Sequence, residues 1–169
     1  MPPENRKIRR DSRPTEIAPD TDKERLRLWL KILKVSRIME GELRERLRTE
    51  FDTTLPRFDV MAALYRAETG LRMSELSGVL KVSNGNVTGI VERLVGEGLM
   101  VRVPVEGDRR AMVVRLTQKG LEDFEAMAAT HKGWVDELLG GVEPGEATTL
   151  VAHLGRISAQ LENRRRAQP

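Results

Sequence analysis

The chain has 169 residues, of which 39% are hydrophobic, 33% charged and 4% aromatic, and its formal net charge is +3. This composition is typical of a globular domain with a helix-rich, solvated surface. No stretch approaches the roughly 20 consecutive apolar residues of a membrane helix. The basic N-terminus lacks the apolar core of a secretory signal. We therefore expect a cytoplasmic protein.

Cysteine is absent, which excludes disulfides, thiolate nucleophiles and iron–sulfur ligation. The two histidines, His131 and His153, are far apart in the sequence, so we interpret them as ordinary helix residues and predict no metal site and no cofactor. The chain also lacks a nucleophile elbow and a phosphate-binding glycine loop. An enzyme is therefore disfavoured.

The charge is unevenly distributed. Residues 71–119 contain eight basic and five acidic residues, whereas residues 120–163 contain two basic and eight acidic ones. A basic middle beside an acidic end predicts a polyanionic partner for the middle alone. The alternative, charges scattered over solvated helix faces, remains open on this observation.

The first two segments differ sharply in pattern. Residues 1–20 are rich in proline and charge without periodicity, which predicts a disordered basic arm. Residues 21–55 contain one long helix to about residue 49. Its apolar residues cover more than one narrow stripe, so we expect part of it to pack against another chain, as the N-terminal part of a dimerisation region.

Three shorter helices are predicted next. The first begins near Pro56 and is ended by Gly70. MSELSGVL forms the second, with Leu76, Val79 and Leu80 facing inward. After a brief turn comes SNGNVTGIVERL, whose N-cap is Ser83.

The rhythm then changes from helical to alternating. LMVRVPV and MVVRLT flank the polar loop VEGDRRA, which predicts a β-hairpin with a charged tip. Thr117 caps a long helix, and Pro144 begins a last one. Residues 118–165 are therefore assigned to C-terminal dimerisation helices.

This order of elements predicts a mainly α fold with a small β-hairpin wing, a winged helix-turn-helix at residues 56–117. In such a lobe the second helix of the turn enters the DNA major groove, and the wing lies over the backbone or in the minor groove. The long flanking helices would join two chains into a dimer that binds two half-sites about one helical turn apart.

The segment from MSELSGVLKVSNGNVTGIVERL to the wing sequence DRRAMVVRLTQKG resembles the DNA-binding lobe of MarR-type transcriptional regulators. The resemblance extends over residues 24–163, because the flanking helices fall where that family has its dimerisation helices. It implies a homodimer, usually a repressor, that binds a palindromic operator and releases it when a small ligand binds.

Short polar side chains occupy the front of the predicted recognition helix. Asparagine can pair with adenine in bidentate fashion, and hydroxyls suit phosphates. The wing arginines suit phosphate or a narrow minor groove, and Asp108 can orient an arginine. Asn86 as a cap, Thr88 bonded to its own backbone, Asp108 as a turn residue and the arginines as solubilising charges are the structural alternatives. The predicted DNA-binding residues are Ser83, Asn84, Gly85, Asn86, Thr88, Arg93, Asp108, Arg109 and Arg110.

The resemblance also implies an effector. The lack of cysteine disfavours the peroxide-sensing branch, and the ligand class implied is an aromatic or phenolic acid or its coenzyme A thioester. The family's pocket lies under the first, second and fifth helices, and Arg37 could pair with a carboxylate or phosphate. The alternative is that the apolar members simply form core. The candidate ligand residues are Trp29, Arg37, Met39, Phe58, Met61 and Tyr65.

Two other function classes compete with a DNA-binding regulator. A dimeric protein-interaction module on the same fold would have neutral residues at the wing tip, and Arg109 and Arg110 oppose this. An enzyme lacks the required motifs. The sequence alone assigns no role to the basic N-terminal arm or to the run Arg164–Arg166.

Overall fold

The computed structural model describes residues 21–105 and 107–167, so the predicted arm at residues 1–20 lies outside the described residues. Six helices and one two-stranded antiparallel hairpin occur in the described chain, which confirms the mainly α fold with a β-hairpin wing. In chain order the elements are α1 (Thr21–Phe51), α2 (Leu55–Tyr65), α3 (Met73–Leu80), α4 (Asn84–Gly96), β1 (Met100–Val105), β2 (Asp108–Leu116), α5 (Gln118–Leu138) and α6 (Pro144–Ala167).

The chain divides into two compact units, one ending at Ile38 and the other beginning at Met39. The described part of the first unit is the N-terminal portion of α1. It carries large apolar side chains that are 50–57% exposed, which is unusual for tryptophan and branched aliphatic residues in a globular domain. These residues are Leu26, Leu28, Trp29, Leu30, Val35 and Ile38.

The second unit contains the hydrophobic core. The end of α1, the helices α2 to α4 and the hairpin each contribute side chains with at most 2% exposure, and α5 covers them with Phe124, Met127 and Trp134. Burial of this apolar surface is the main stabilising contribution. The most deeply buried side chains are Leu47, Val60, Met61, Leu76, Val87, Val91, Leu94, Met100 and Val114.

The start of α2 agrees with the prediction and its end does not. Thr54 is the N-cap and accepts a hydrogen bond from the Arg57 amide, with Pro56 in the first turn. The helix ends at Tyr65, before Gly70. Gly70 has φ +87° in the turn beyond, where its amide donates to the Ala67 carbonyl at 2.7 Å. Gly70 therefore closes this turn rather than the helix.

In α3 the predicted inward face is partly wrong. Leu76 is fully buried and Leu80 half-buried, but Val79 is 57% exposed. Successive residues of a helix are rotated by about 100° around its axis, so Ser77 and Val79 lie on opposite sides of Leu76. Ser77 is the buried one of the two. Its hydroxyl donates to the Met73 carbonyl at 2.9 Å, so a satisfied serine occupies the inward position in place of Val79.

The hairpin is fastened to the rest of the second unit at its base. Leu71 exchanges two backbone hydrogen bonds with Val114, at 3.0 and 2.8 Å. Thr117 caps α5 as predicted, accepting from the Gly120 amide at 3.0 Å, and its hydroxyl donates to the Gly98 carbonyl at 2.7 Å. A Cβ on Gly120 would lie 2.0 Å from the Leu99 carbonyl oxygen, so glycine is required there.

The last helix, α6, buries none of its residues. Its apolar side chains recur at helical spacing and are 38–71% exposed: Leu150, Val151, Leu154, Ile157 and Leu161. Among the described helices, none is both long and apolar enough to cross a bilayer.

Candidate nucleic-acid interface

A tight turn sets the direction of α4. Lys81 caps α3 in the left-handed conformation, with φ +55° and ψ +36°, and its amide donates to the Ser77 carbonyl. Ser83 then occupies the N-cap position of α4 in extended conformation, as predicted. Its side chain makes no capping hydrogen bond, contrary to the usual role of an N-cap serine. The hydroxyl is therefore available to a ligand.

One face of α4 is anchored in the core. Val87, Val91 and Leu94 are completely buried, and Ile90 is half-buried. This stripe recurs every three to four residues, as expected for a helix with one buried face. The opposite face is consequently directed away from the core.

The outward front of α4 carries the predicted short polar residues. Asn84 and Asn86 are exposed, and neither makes a side-chain capping bond. Thr88 is half-exposed, and its hydroxyl donates to the Asn84 carbonyl at 2.8 Å. A bond of Thr88 to the backbone of its own helix is the structural alternative to a DNA contact. The hydroxyl can still accept a hydrogen bond from a partner, but it must break the bond to Asn84 before it can donate one to a phosphate.

The glycines of α4 are not required by packing. A Cβ added to Gly85 or Gly89 would meet no atom within 4 Å. Each glycine in a helix interior costs about 0.5–1 kcal/mol relative to alanine. The chain itself therefore gives no steric reason for these glycines, whereas close approach of an external surface would.

The wing presents the DRR sequence at its tip. β2 begins with Asp108, directly after Gly107, which has φ +80°. The strand register changes from Pro104–Met112 to Val105–Asp108, so residues 109–111 lie between two paired positions. Arg109 and Arg110 are thus at the distal end of the hairpin, as the sequence predicted.

The C-terminal end of α4 is tied to α2 and α5, a feature that the sequence did not indicate. Arg57 Nη1 donates to Glu97 Oε1 at 2.8 Å, and Nη2 donates to Oε2. Lys119 Nζ donates to the Glu97 carbonyl at 3.3 Å. The hydrogen bond from Arg57 lowers the pKa of Glu97 below its usual value. Arg93, in the last turn of α4, is exposed.

The candidate ligand residues fall in both units. Trp29, 53% exposed, and the exposed Arg37 belong to the unit ending at Ile38. Met39 is half-buried and belongs to the other unit. Met61 is almost fully buried and lines a cavity of about 530 Å³ together with Phe51.

Phe58 and Tyr65 are brought together in an aromatic cluster between α2 and α5. The Phe58 ring stacks on His131 with ring centroids 4.5 Å apart. The centroid of the Phe124 ring lies 5.4 Å from that of Phe58 and 4.9 Å from that of Tyr65. Burial lowers the pKa of His131, an effect that the nearby Asp59 opposes. Phe58 is 7% exposed and Tyr65 41%, so only the tyrosine presents an accessible ring.

Three features define a winged-helix DNA-binding protein. They are a helix-turn-helix with one face packed in the core, a second helix whose first turns carry short polar side chains, and a hairpin with arginines at its tip. In the described chain, no cluster of three or more histidine, aspartate or glutamate residues is arranged to hold a metal ion.

Comparison with known proteins identifies the family. The MarR family model matches residues 53–112. The chain is 28% identical over 149 residues to the HTH-type transcriptional regulator PecS of Dickeya dadantii, covering 87% of this chain and 89% of that protein. It is 35% identical to a crystal structure of a MarR family transcriptional regulator from Silicibacter pomeroyi, covering 85% and 99% of the two chains with a TM-score of 0.71.

A third similarity concerns a protein bound to DNA. A mutant of Escherichia coli MarR in complex with operator DNA is 28% identical to this chain, with a TM-score of 0.68 over 82% of this chain and 98% of that one. The chain belongs to the MarR family, and it is a DNA-binding transcriptional regulator rather than an enzyme.

Proposed function

We propose that the protein is a homodimeric repressor that binds a palindromic operator and is released by a small aromatic or phenolic acid or its coenzyme A thioester. The observation that carries the DNA-binding mode is the front of α4, where glycines with open space above them alternate with exposed asparagines. A helix held in the major groove blocks access of other proteins to that DNA, which is the simplest route to repression.

Each DNA-facing group has its own task in this proposal. Asn84 and Asn86 read base edges, while the Ser83 hydroxyl, which makes no capping bond, donates a hydrogen bond to a phosphate. Gly85 and Gly89 allow the helix backbone to approach closely. Thr88 accepts a hydrogen bond from the DNA, and Arg93 contacts the DNA phosphate backbone from the last turn of α4. At the wing, Arg109 and Arg110 bind phosphates or the minor groove, with Asp108 orienting them.

The exposed apolar faces support the homodimer. The α1 segment up to Ile38 and the whole of α6 leave large aliphatic and aromatic side chains in solvent. Exposed apolar patches of this kind mark protein interfaces. In this proposal each of the two helices packs against a second copy of the chain, and the two recognition helices of the dimer read two half-sites.

The ligand residues of the proposal are those that the sequence predicted. In the unit that ends at Ile38, the accessible ring of Trp29 suits an aromatic ligand and the exposed guanidinium of Arg37 suits a carboxylate. In the unit that begins at Met39, Tyr65 presents an accessible ring. Phe58, Met39 and Met61, which belong to the unit that begins at Met39, are the apolar members of the set. Ligand and operator would weaken each other's binding by the same factor, as linkage requires.

The DNA-binding assignment is tested by separating the wing from the helix front. Replacing Arg109 and Arg110 by Ala should weaken binding to every duplex and reduce the slope of log affinity against log salt by about 2 per chain, because each phosphate contact contributes roughly 0.9. Titrations of fluorescent duplexes from about 50 to about 300 mM salt measure this slope. An unchanged slope would rule out a phosphate-binding wing.

Asn84→Ala and Asn86→Ala should behave differently from the wing variant. We expect a loss of about 1–3 kcal/mol of discrimination at particular base pairs, with little change in the salt slope. Selection of duplexes from a random library by each variant measures the preference. If both variants select the wild-type sequence with undiminished preference, the asparagines do not read bases.

The effector class is tested by thermal shift with benzoate, salicylate and benzoyl coenzyme A. A ligand present at about 100 times its Kd stabilises the folded state by about 2.7 kcal/mol, which raises the melting temperature measurably. The same compound should then weaken operator binding. Stabilisation without weaker DNA binding would contradict the proposed release mechanism.

A further inference from the structure

The last turns of α6 lie beside the turn of the helix-turn-helix. Lys81, Glu162, Arg165 and Arg166 line a common cleft of about 310 Å³, which we call the basic cleft. Lys81 immediately precedes the N-cap region of α4, whereas the other three residues belong to α6. Two segments that are distant in the sequence therefore meet next to the recognition helix.

The basic cleft carries a net positive charge. It contains three cationic side chains against the single carboxylate of Glu162, and all four residues are exposed. Within the described part of the chain, no ion pair joins Lys81, Arg165 or Arg166 to a carboxylate. A helix C-terminus favours basic residues, but that preference gives no reason for their position beside Lys81.

The position of Lys81 identifies the kind of partner. In helix-turn-helix docking, the first residues of the recognition helix reach base edges, so the preceding turn lies beside a phosphate strand that borders the groove. The left-handed conformation of Lys81 fixes the direction of this turn. The arginines of α6 add two guanidinium groups to the cleft that Lys81 lines, and guanidinium groups match phosphate geometry well.

We propose that the basic cleft binds the phosphates of duplex DNA immediately outside the half-site read by α4. This inference rests on the proposed DNA-binding function, and it assigns Arg165 and Arg166 to a contact that adds affinity without sequence preference. The bound DNA is consequently longer than the segment covered by α4 and the wing.

The experiment compares two duplexes for the full-length chain. The first contains only the sequence that the protein selects from a random library, and the second has about 10 additional base pairs on each side, roughly one helical turn of duplex. The variant carries Arg165→Gln and Arg166→Gln. The matched control carries Lys132→Gln and Arg156→Gln, which removes the same charge from positions outside the basic cleft.

The wild type and the control should bind the longer duplex about tenfold more tightly than the shorter one, with a salt slope steeper by about 2 per chain. The cleft variant should lose this advantage and still bind the short duplex as the wild type does. An unchanged preference for the long duplex in the cleft variant would overturn the proposal, as would an equal loss on both duplexes. A wild-type chain that enriches no sequence would instead contradict the proposed function itself.

Discussion

At the scale of single residues, replacing a glycine of α4 should have opposite effects on the stability of the fold and on DNA affinity. Gly89→Ala should raise the free energy of unfolding by about 0.5–1 kcal/mol, because the added methyl group meets open space and alanine favours the helix. The same methyl group should weaken operator affinity about tenfold, since overpacking a close contact costs about 1–3 kcal/mol. Chemical denaturation and duplex titration measure the two effects.

Gly133→Ala is the matched control for this substitution. Gly133 also lies in a helix interior with nothing within 4 Å of an added Cβ, but it belongs to α5. It should stabilise the fold to a similar degree and leave DNA affinity unchanged. A Gly89→Ala protein that binds DNA as tightly as the wild type would show that the α4 backbone does not approach DNA closely.

The sequence predicted those side-chain positions that depend on local periodicity. Val87, Val91 and Leu94 recur at helical spacing and are all buried. Val79 has suitable spacing too, yet it is exposed because the buried position on that helix is taken by Ser77, whose hydroxyl is satisfied within its own turn. Periodicity cannot distinguish an inward serine from an outward one, since the distinction depends on a hydrogen bond.

At the scale of elements, the pair Arg57–Glu97 fixes the end of α4 against α2. Removing either partner should cost about 1–2 kcal/mol of stability, since the pair is bidentate but Glu97 is partly exposed. We also expect weaker operator binding, because the recognition helix would lose its lateral restraint. A double-mutant cycle with Arg57→Ala and Glu97→Ala, followed by denaturation and DNA titration, measures the coupling.

The exposed pair Arg48–Glu45 provides the comparison for this cycle. It is also bidentate, but it spans three residues of one helix, and both side chains are more than 60% exposed. Its coupling should be weaker than that of Arg57 and Glu97, because water solvates both side chains, and DNA binding should not change. Equal coupling in the two pairs would mean that Arg57 and Glu97 do not restrain α4.

The Arg57–Glu97 pair could not have been predicted from the sequence, although the order of the elements could. The order of the elements follows from caps, turns and periodicity, all of which are encoded within a few residues. Arg57 and Glu97 are 40 positions apart and carry no shared local pattern. Only the packing of α2 against α4 brings them together, and so the signal does not exist in a single sequence.

At the scale of the whole molecule, the exposed apolar side chains of α1 and α6 form the interface of the proposed homodimer. Replacing one of them by a charged residue should therefore dissociate the dimer. Leu154→Glu in α6 should raise the dimer dissociation constant by about 100-fold or more. Burial of one leucine is worth about 1.5–3 kcal/mol, and a two-fold interface contains the substitution twice. Trp29→Glu should have the same effect in α1. Sedimentation velocity at micromolar concentration measures the mass.

Arg156→Glu, on the same helix as Leu154, changes charge without removing an apolar side chain and should leave the mass unchanged. In the proposed homodimer two chains read two half-sites, so the dissociated variants should also bind a palindromic duplex far more weakly than the wild type. A wild-type chain that sediments as a monomer would contradict the dimer.

The recognition helix is restrained unequally along its length. Its front has two glycines and no side-chain cap from Ser83, while its end is tied by Arg57 and Lys119. Backbone amides near Asn86 should therefore exchange their hydrogens with solvent sooner than those near Leu94, because local opening requires less free energy at the front. Binding to an operator would order this turn, so we expect association with a favourable enthalpy and an opposing entropy.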